Sequence, residues 1–252
     1  MSLSTGDSMA IEHRAADWRE YEMDWTGDPH PVKEPLEAEI RVVADALKAL
    51  VRCGLLPHDA YDEERFLAHR AAVRERFDIP WTGISPRMER LLYAINAVVQ
   101  PGVMVAAGIF CGNTFICNAG AAIGPGACYT AERLVGIEIV AGEAERAARN
   151  VATVDPAGQA EILAADAVEW LAANPGRIDL LYIDANGSYL PIVETAARTC
   201  LSRGSLVLAH NSVNLAAQLA PYLRFVRDPK NSVETVNVMI DDQGLEVTLW
   251  RG

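Results

Sequence analysis

"VMVAAGIFCGNTFI", residues 103–116, decides how this chain is read. Val103–Ala107 is a short apolar run of the kind that makes a buried strand, and it ends at Gly108. Gly112 and Thr114 follow, giving a GxxxG turn that runs into a helix. Glycine at the strand end lets the backbone turn sharply and come close to a ligand. Glycine at the helix start leaves unpaired N–H groups facing outward. A dinucleotide turn would read GxGxxG, and a phosphate loop would carry GK[ST]. Here Asn113–Thr114 follows Gly112, and no third glycine stands at the required spacing. Phosphate-bearing cofactors therefore fit poorly, an NAD-linked oxidoreductase is disfavoured, and an adenosyl group without phosphates fits well.

The chain around this turn alternates short apolar runs with amphipathic stretches. Strands are predicted at 103–107, 134–139, 160–163, 179–184 and 205–209. Helices are predicted at about 113–123, 142–152, 166–173 and 189–201. That alternation is the mark of a parallel sheet covered by helices on both faces, an α/β doubly wound, Rossmann-like fold. The end differs: "ETVNVMI", the turn "DDQG" and "LEVTLWR" predict an antiparallel hairpin with Gly244 in the turn. Ahead of the turn, Leu36, Ile40, Val43, Leu47 and Leu50 recur at helical spacing, a second helix spans about Asp62 to Phe77, and Ser85–Pro86 caps a third. Residues 1–79 are thus an N-terminal arm and helices, a lid or a dimer contact, and 80–252 the ligand-binding domain. Trp18, Tyr21 and Trp25 favour an ordered arm over a solvated tail.

Three acids stand where such a sheet presents its ligand. Glu138 ends the strand "LVGIEI", where an acid can accept both hydroxyls of a ribose. Asp166 follows the third strand at a helix start, suited equally to capping and to an adenine amino group. Asp184 ends the strand "IDLLYID" over the same crevice.

Whole-chain composition bounds the partners. The chain has 252 residues, half of them hydrophobic, and a net charge of −12, with a pI near 4.9. Nucleic-acid and anionic-membrane surfaces need clustered Lys and Arg, so a small-molecule substrate fits better. Five cysteines without CxxC spacing read as free thiols of a reducing compartment. Without a signal-peptide core or a run long enough to span a bilayer, the expectation is a soluble cytoplasmic protein, with a homodimer through the N-terminal helices.

"GVMVAAGIFCGNTFI", "LVGIEIVAGEAERAARNV", "ILAADAVEWL", "IDLLYIDANGSYLPIVETAARTCLSRGSLVLAHNSV" and "VNVMIDDQGLEVTLW" resemble, in order, the motifs of class I S-adenosylmethionine-dependent methyltransferases. The nearest branch is the catechol O-methyltransferase-like small-molecule group, and the resemblance covers about residues 80–252. It implies a seven-stranded sheet with a reversed final hairpin and S-adenosyl-L-methionine (SAM) as cofactor. It implies a cofactor site made of Gly108, Phe110, Gly112, Thr114, Glu138, Ile139, Asp166, Ala167 and Asp184. In it the glycines would line the methionine part, Glu138 would hold the ribose, and Asp166 with Ala167 would read the adenine.

The chain departs from the family pattern in three places. Ala106 stands where an acid is common, which puts a contact to the cofactor's amino group in doubt. The branch's divalent-cation ligands correspond to Asp184, His210 and Asn211; histidine in place of aspartate makes Mg²⁺ a poor fit and gives at best a weak metal site. No lysine follows Asp184 in "DANGSY", leaving Asn186 and Tyr189 to orient a substrate. His210 at a strand end also suits a general base, so the catalytic set is Asp184, His210 and Tyr189. The readings to separate are methyl transfer to a small molecule, transfer or cyclisation of the aminocarboxypropyl arm releasing methylthioadenosine, and a SAM-binding module without catalysis.

Overall fold

Residues 11–24, 27–81 and 83–252 are described by the structure, a computed structural model. The strands are β1 (Ile11–Arg14), β2 (Val103–Ala107), β3 (Arg133–Glu138), β4 (Ala160–Ala164), β5 (Ile178–Ile183), β6 (Leu201–His210), β7 (Ser232–Met239) and β8 (Leu245–Trp250). The helices are α1 (Leu36–Arg52), α2 (Glu63–Arg76), α3 (Pro86–Val99), α4 (Asn113–Ala119), α5 (Ala141–Ala152), α6 (Ala167–Ala173), α7 (Tyr189–Thr199) and α8 (Ala220–Val226).

Alternation along the strands sorts the core into two layers. Met104, Ala106, Leu180, Tyr182, Leu206 and Leu208 face one side, packing with Leu47 and Leu50 of α1 and Leu91 and Leu92 of α3. Val105, Ala107, Leu181, Ile183, Val207 and Ala209 face the other, with Leu171 of α6, Ile192 and Val193 of α7 and Tyr222 of α8. Strands buried on both faces must be apolar throughout, which is why they read as continuous runs. Local chemistry sets the helix starts: Asp62 accepts the N–H of Arg65, and Ser85 accepts that of Met88 with Pro86 in the first turn.

The sheet order is β1-β7-β8-β6-β5-β2-β3-β4. β2 pairs in parallel with both β3 and β5, and β8 runs antiparallel to β6 and β7. The chain lays β3 and β4 outward from β2, then returns to build β5 and β6 on the opposite side. The crevice between β2 and β5 is therefore the topological switch point.

The seven strands expected after residue 100 are all present, and the arm adds an eighth. β1 pairs in parallel with β7, Ile11 opposite Val236 and Arg14 opposite Met239. Beyond it the arm is clamped to α3. The Arg87 guanidinium, 1% exposed, donates to Glu34 at 2.7 Å, to Asp17 at 2.8 and 2.9 Å, and to the Ile240 carbonyl at 2.8 Å. The Tyr21 ring lies 3.8 Å from the guanidinium carbon. Trp18 lies under Arg19, at 4.9 Å, while Trp25 falls outside the described residues.

Candidate active site

A cavity of about 750 Å³ opens at the carboxyl ends of the central strands, over the switch point. Its size is that of an ordinary small-molecule site. Gly108, Phe110, Thr114, Glu138, Ile139, Asp166, Ala167 and Asp184 all stand on its wall, as do His210 and Asn211. Gly112 and Tyr189 do not; each acts from behind.

The turn after β2 holds three left-handed residues: Gly108 (φ 79°), Phe110 (φ 48°) and Gly112 (φ 90°). At Gly108 the missing side chain makes room for protein as well as ligand. A Cβ there would lie 2.2 Å from the Asp184 carbonyl oxygen, because the Asp184 N–H is bonded to Ala107 O at 2.9 Å and draws β5 alongside. At Gly112 a Cβ would lie 3.2 Å from Ala147, so this glycine seats α4 against α5. Phe110 is not glycine, and its left-handed backbone costs on the order of 1–2 kcal/mol. Glu138 offsets that cost. Its Oε2 accepts the N–H groups of Phe110 at 2.8 Å and Ile109 at 3.2 Å, and its Oε1 accepts that of Val140 at 3.0 Å. Glu138 is thus the internal anchor of the glycine turn, a role its position at a strand end does not announce. The Phe110 ring packs on Trp81 at 4.7 Å, placing Trp81 at the cavity rim.

Asp166 caps α6, with Oδ1 accepting the N–H groups of Val168 at 2.7 Å and Glu169 at 3.1 Å. Both bonds fall on one oxygen, so capping and ligand contact are compatible. Ala106 is fully buried in the core and away from the cavity wall.

Asp184 meets two hydroxyl donors and one imidazole nitrogen. Tyr189 OH approaches Oδ1 at 3.3 Å, while Tyr182 OH at 3.4 Å and His210 Nδ1 at 3.3 Å approach Oδ2. Burial and the Asp184 charge push both tyrosine hydroxyls well above their ordinary pKa, so they remain protonated donors. Burial alone would lower the His210 pKa; the Asp184 carboxylate, and behind it Asp241, outweigh burial and raise it. His210 Nε2 is buried beside the Gln243 side chain, which also favours the charged imidazole. Tyr182 was missed in the sequence; its signal was its position two residues before Asp184 on the same strand face.

Asp184, His210 and Asn211, the three positions of the weak metal site, lie together on the cavity wall. Asp184 and His210 are turned on each other, and the Asn211 amide, on a left-handed backbone (φ 61°), donates to Asn214 Oδ1 at 3.1 Å.

The charge of the wall suits SAM, whose sulfonium and ammonium are cations. Glu138, Glu143, Asp166 and Asp184 stand on it. Thr114 adds a hydroxyl that is buried without a partner.

Comparison with known proteins agrees. Residues 105–212 match a family model described as a methyltransferase domain. No curated protein matches the chain. Among solved structures, the chain is similar to the O-methyltransferase TomG from Streptomyces achromogenes, involved in tomaymycin synthesis and solved with SAM. That match has a TM-score of 0.57 at 21% identity, over 76% of this chain and 92% of that one. It is also similar to the Bacillus cereus O-methyltransferase solved with S-adenosylhomocysteine (SAH), with a TM-score of 0.56 at 14% identity, over 76% and 92%. A third, the SAH-bound Podospora anserina methyltransferase PaMTH1, gives 0.59 at 17% identity, over 90% and 100%. Among the described residues, no helix is long and apolar enough to cross a membrane.

Proposed function

We propose that this chain is a SAM-dependent methyltransferase of the class I, catechol and caffeoyl-CoA O-methyltransferase-like type, and that it methylates a hydroxyl of a small molecule. The observation that carries this reading is the pairing of Asp184 with His210 at the switch-point cavity, 3.3 Å apart and opposite the Glu138-anchored turn. Bound SAM supplies a methyl group on a positively charged sulfur, which leaves as the neutral thioether of SAH. The chain's own residues hold and align. Glu138 fixes the turn and would present its carboxylate to the ribose, Asp166 and Ala167 would flank the adenine, and Gly108 and Thr114 would border the methionine arm. Holding the acceptor hydroxyl in line with the sulfonium would supply much of the rate, since the leaving group is already good.

Asp184 and His210 take the hydroxyl proton as the oxygen–carbon bond forms. The carboxylate faces the cavity, and the proton can reside on the imidazole whose proton affinity that carboxylate raises. Tyr182 and Tyr189 keep Asp184 in place from behind. The arm serves as a buttress, its Asp17 and Glu34 tied to Arg87 of α3.

The test is product analysis after incubation with SAM and a pool of hydroxylated metabolites. Accumulation of SAH, reduced at least a hundredfold in the Asp184→Asn variant, supports methyl transfer. Accumulation of methylthioadenosine would overturn it in favour of aminocarboxypropyl chemistry, and SAM binding without turnover would favour a non-catalytic module.

A further inference from the structure

The wall of the cavity carries an unbalanced charge that the cofactor alone does not explain. Four carboxylates stand on it, yet no lysine or arginine does. Residues 1–10, 25, 26 and 82, outside the described part, contain no lysine or arginine either. Arg146, beside the wall, is paired with Glu143 at 3.3 Å and Asp78 at 3.4 Å. Arg87 is consumed by Asp17 and Glu34. Among the described wall residues only His210 can carry positive charge, and its Nδ1 faces Asp184 at 3.3 Å.

We infer that the acceptor is a neutral or cationic molecule, and that phosphorylated, carboxylated and CoA-thioester acceptors are excluded. This rests on the methyltransferase reading, which assigns the Glu138 end to the cofactor and the Asp184 end to the acceptor. An anion entering that end would lose its hydration and meet the Asp184 charge with no lysine or arginine among the described wall residues to receive it. The side chains that recognise phosphate or carboxylate most strongly are Arg forks and Lys, and the described wall offers neither. A neutral or ammonium-bearing acceptor meets hydrogen-bonding partners instead: the amides of Asn186, Asn211 and Asn214, and the Asp184 carboxylate.

Affinity selection with mass-spectrometric readout tests this. Protein saturated with SAH is offered a library of hydroxylated molecules balanced among cations, neutrals and anions. Retained ligands should be neutral or cationic by at least tenfold over anions, with the cation preference shrinking at high salt. Asn186→Lys, at an exposed wall position, should admit anions and narrow that ratio. Equal or preferred retention of anions by the unaltered protein overturns the inference, as does retention of no ligand of any class by protein that holds SAH. Failure to bind SAH, measured separately by calorimetry, instead defeats the methyltransferase reading and takes the inference with it.

Discussion

Gly108→Ala is the perturbation whose consequences follow most directly from the geometry. Two costs add. The residue sits at φ 79°, where a side chain costs about 1–2 kcal/mol. The new methyl would also lie 2.2 Å from Asp184 O, 2.6 Å from Asp184 C and 2.9 Å from Ala185 Cα. Relief needs a shift of roughly 1 Å in the end of β5, which is tied to β2 by the Asp184 N–H bond to Ala107 at 2.9 Å. Overpacking of that kind costs about 1–3 kcal/mol. Together the loss is about 2–5 kcal/mol, which for a chain of this size lowers Tm by roughly 4–20 °C. Urea unfolding followed by tryptophan fluorescence reads it. Gly142→Ala is the control: it lies exposed in α5, its Cβ would meet nothing within 4 Å, and helix propensity predicts a gain of about 0.5–1 kcal/mol. Gly108→Ala within 1 kcal/mol of the unaltered protein would refute the reasoning, because it would mean that β5 does not press on the turn.

Three further outcomes follow. His210, observed by NMR titration, should protonate above 6.5, and Asp184→Asn should lower that value. A raised folded-state pKa means that the pair's contribution to stability is fully present below about pH 6.5 and is lost as pH rises through the folded value, while methyl transfer, which needs a free proton acceptor, should gain rate over the same rise. Arg87→Met leaves Glu34 half of a broken buried pair and should cost about 3–5 kcal/mol with faster hydrogen exchange in residues 11–17; unchanged exchange there would show that the clamp does not hold the arm. The hydrogen bond from Arg87 holds the Asp17 carboxyl below its ordinary value, so the arm's attachment should be present above about pH 4 and weaken as pH falls through the folded-state pKa.

What the sequence disclosed is what local chemistry determines. β2 to β6 are apolar because both faces are buried, Asp62 and Ser85 cap by short-range bonds, and the Gly244 turn closes the last hairpin; each was legible in residues a few positions apart. β1 was not, because "IEHR" has no apolar run and becomes a strand only by pairing with β7, more than two hundred residues later. α8 has seven residues, too few for a helical period to stand out. At the site, the sequence placed Glu138, Asp166 and Asp184 at strand ends, and the fold gathers all three on one wall. It did not disclose that Glu138 grips the turn across 28 and 29 positions, or that Arg87 draws together Asp17 and Glu34. Those are long-range partnerships of charged residues, and nothing in the spacing of a single chain encodes them.

Calorimetric titration of SAH into the unaltered protein and into Glu138→Gln tests the central claim most directly. The account predicts saturable one-to-one binding, weakened at least tenfold by the substitution, because the change loosens the turn and removes a ribose acceptor together. An absence of binding to the unaltered protein, or equal affinity in the two, would contradict it.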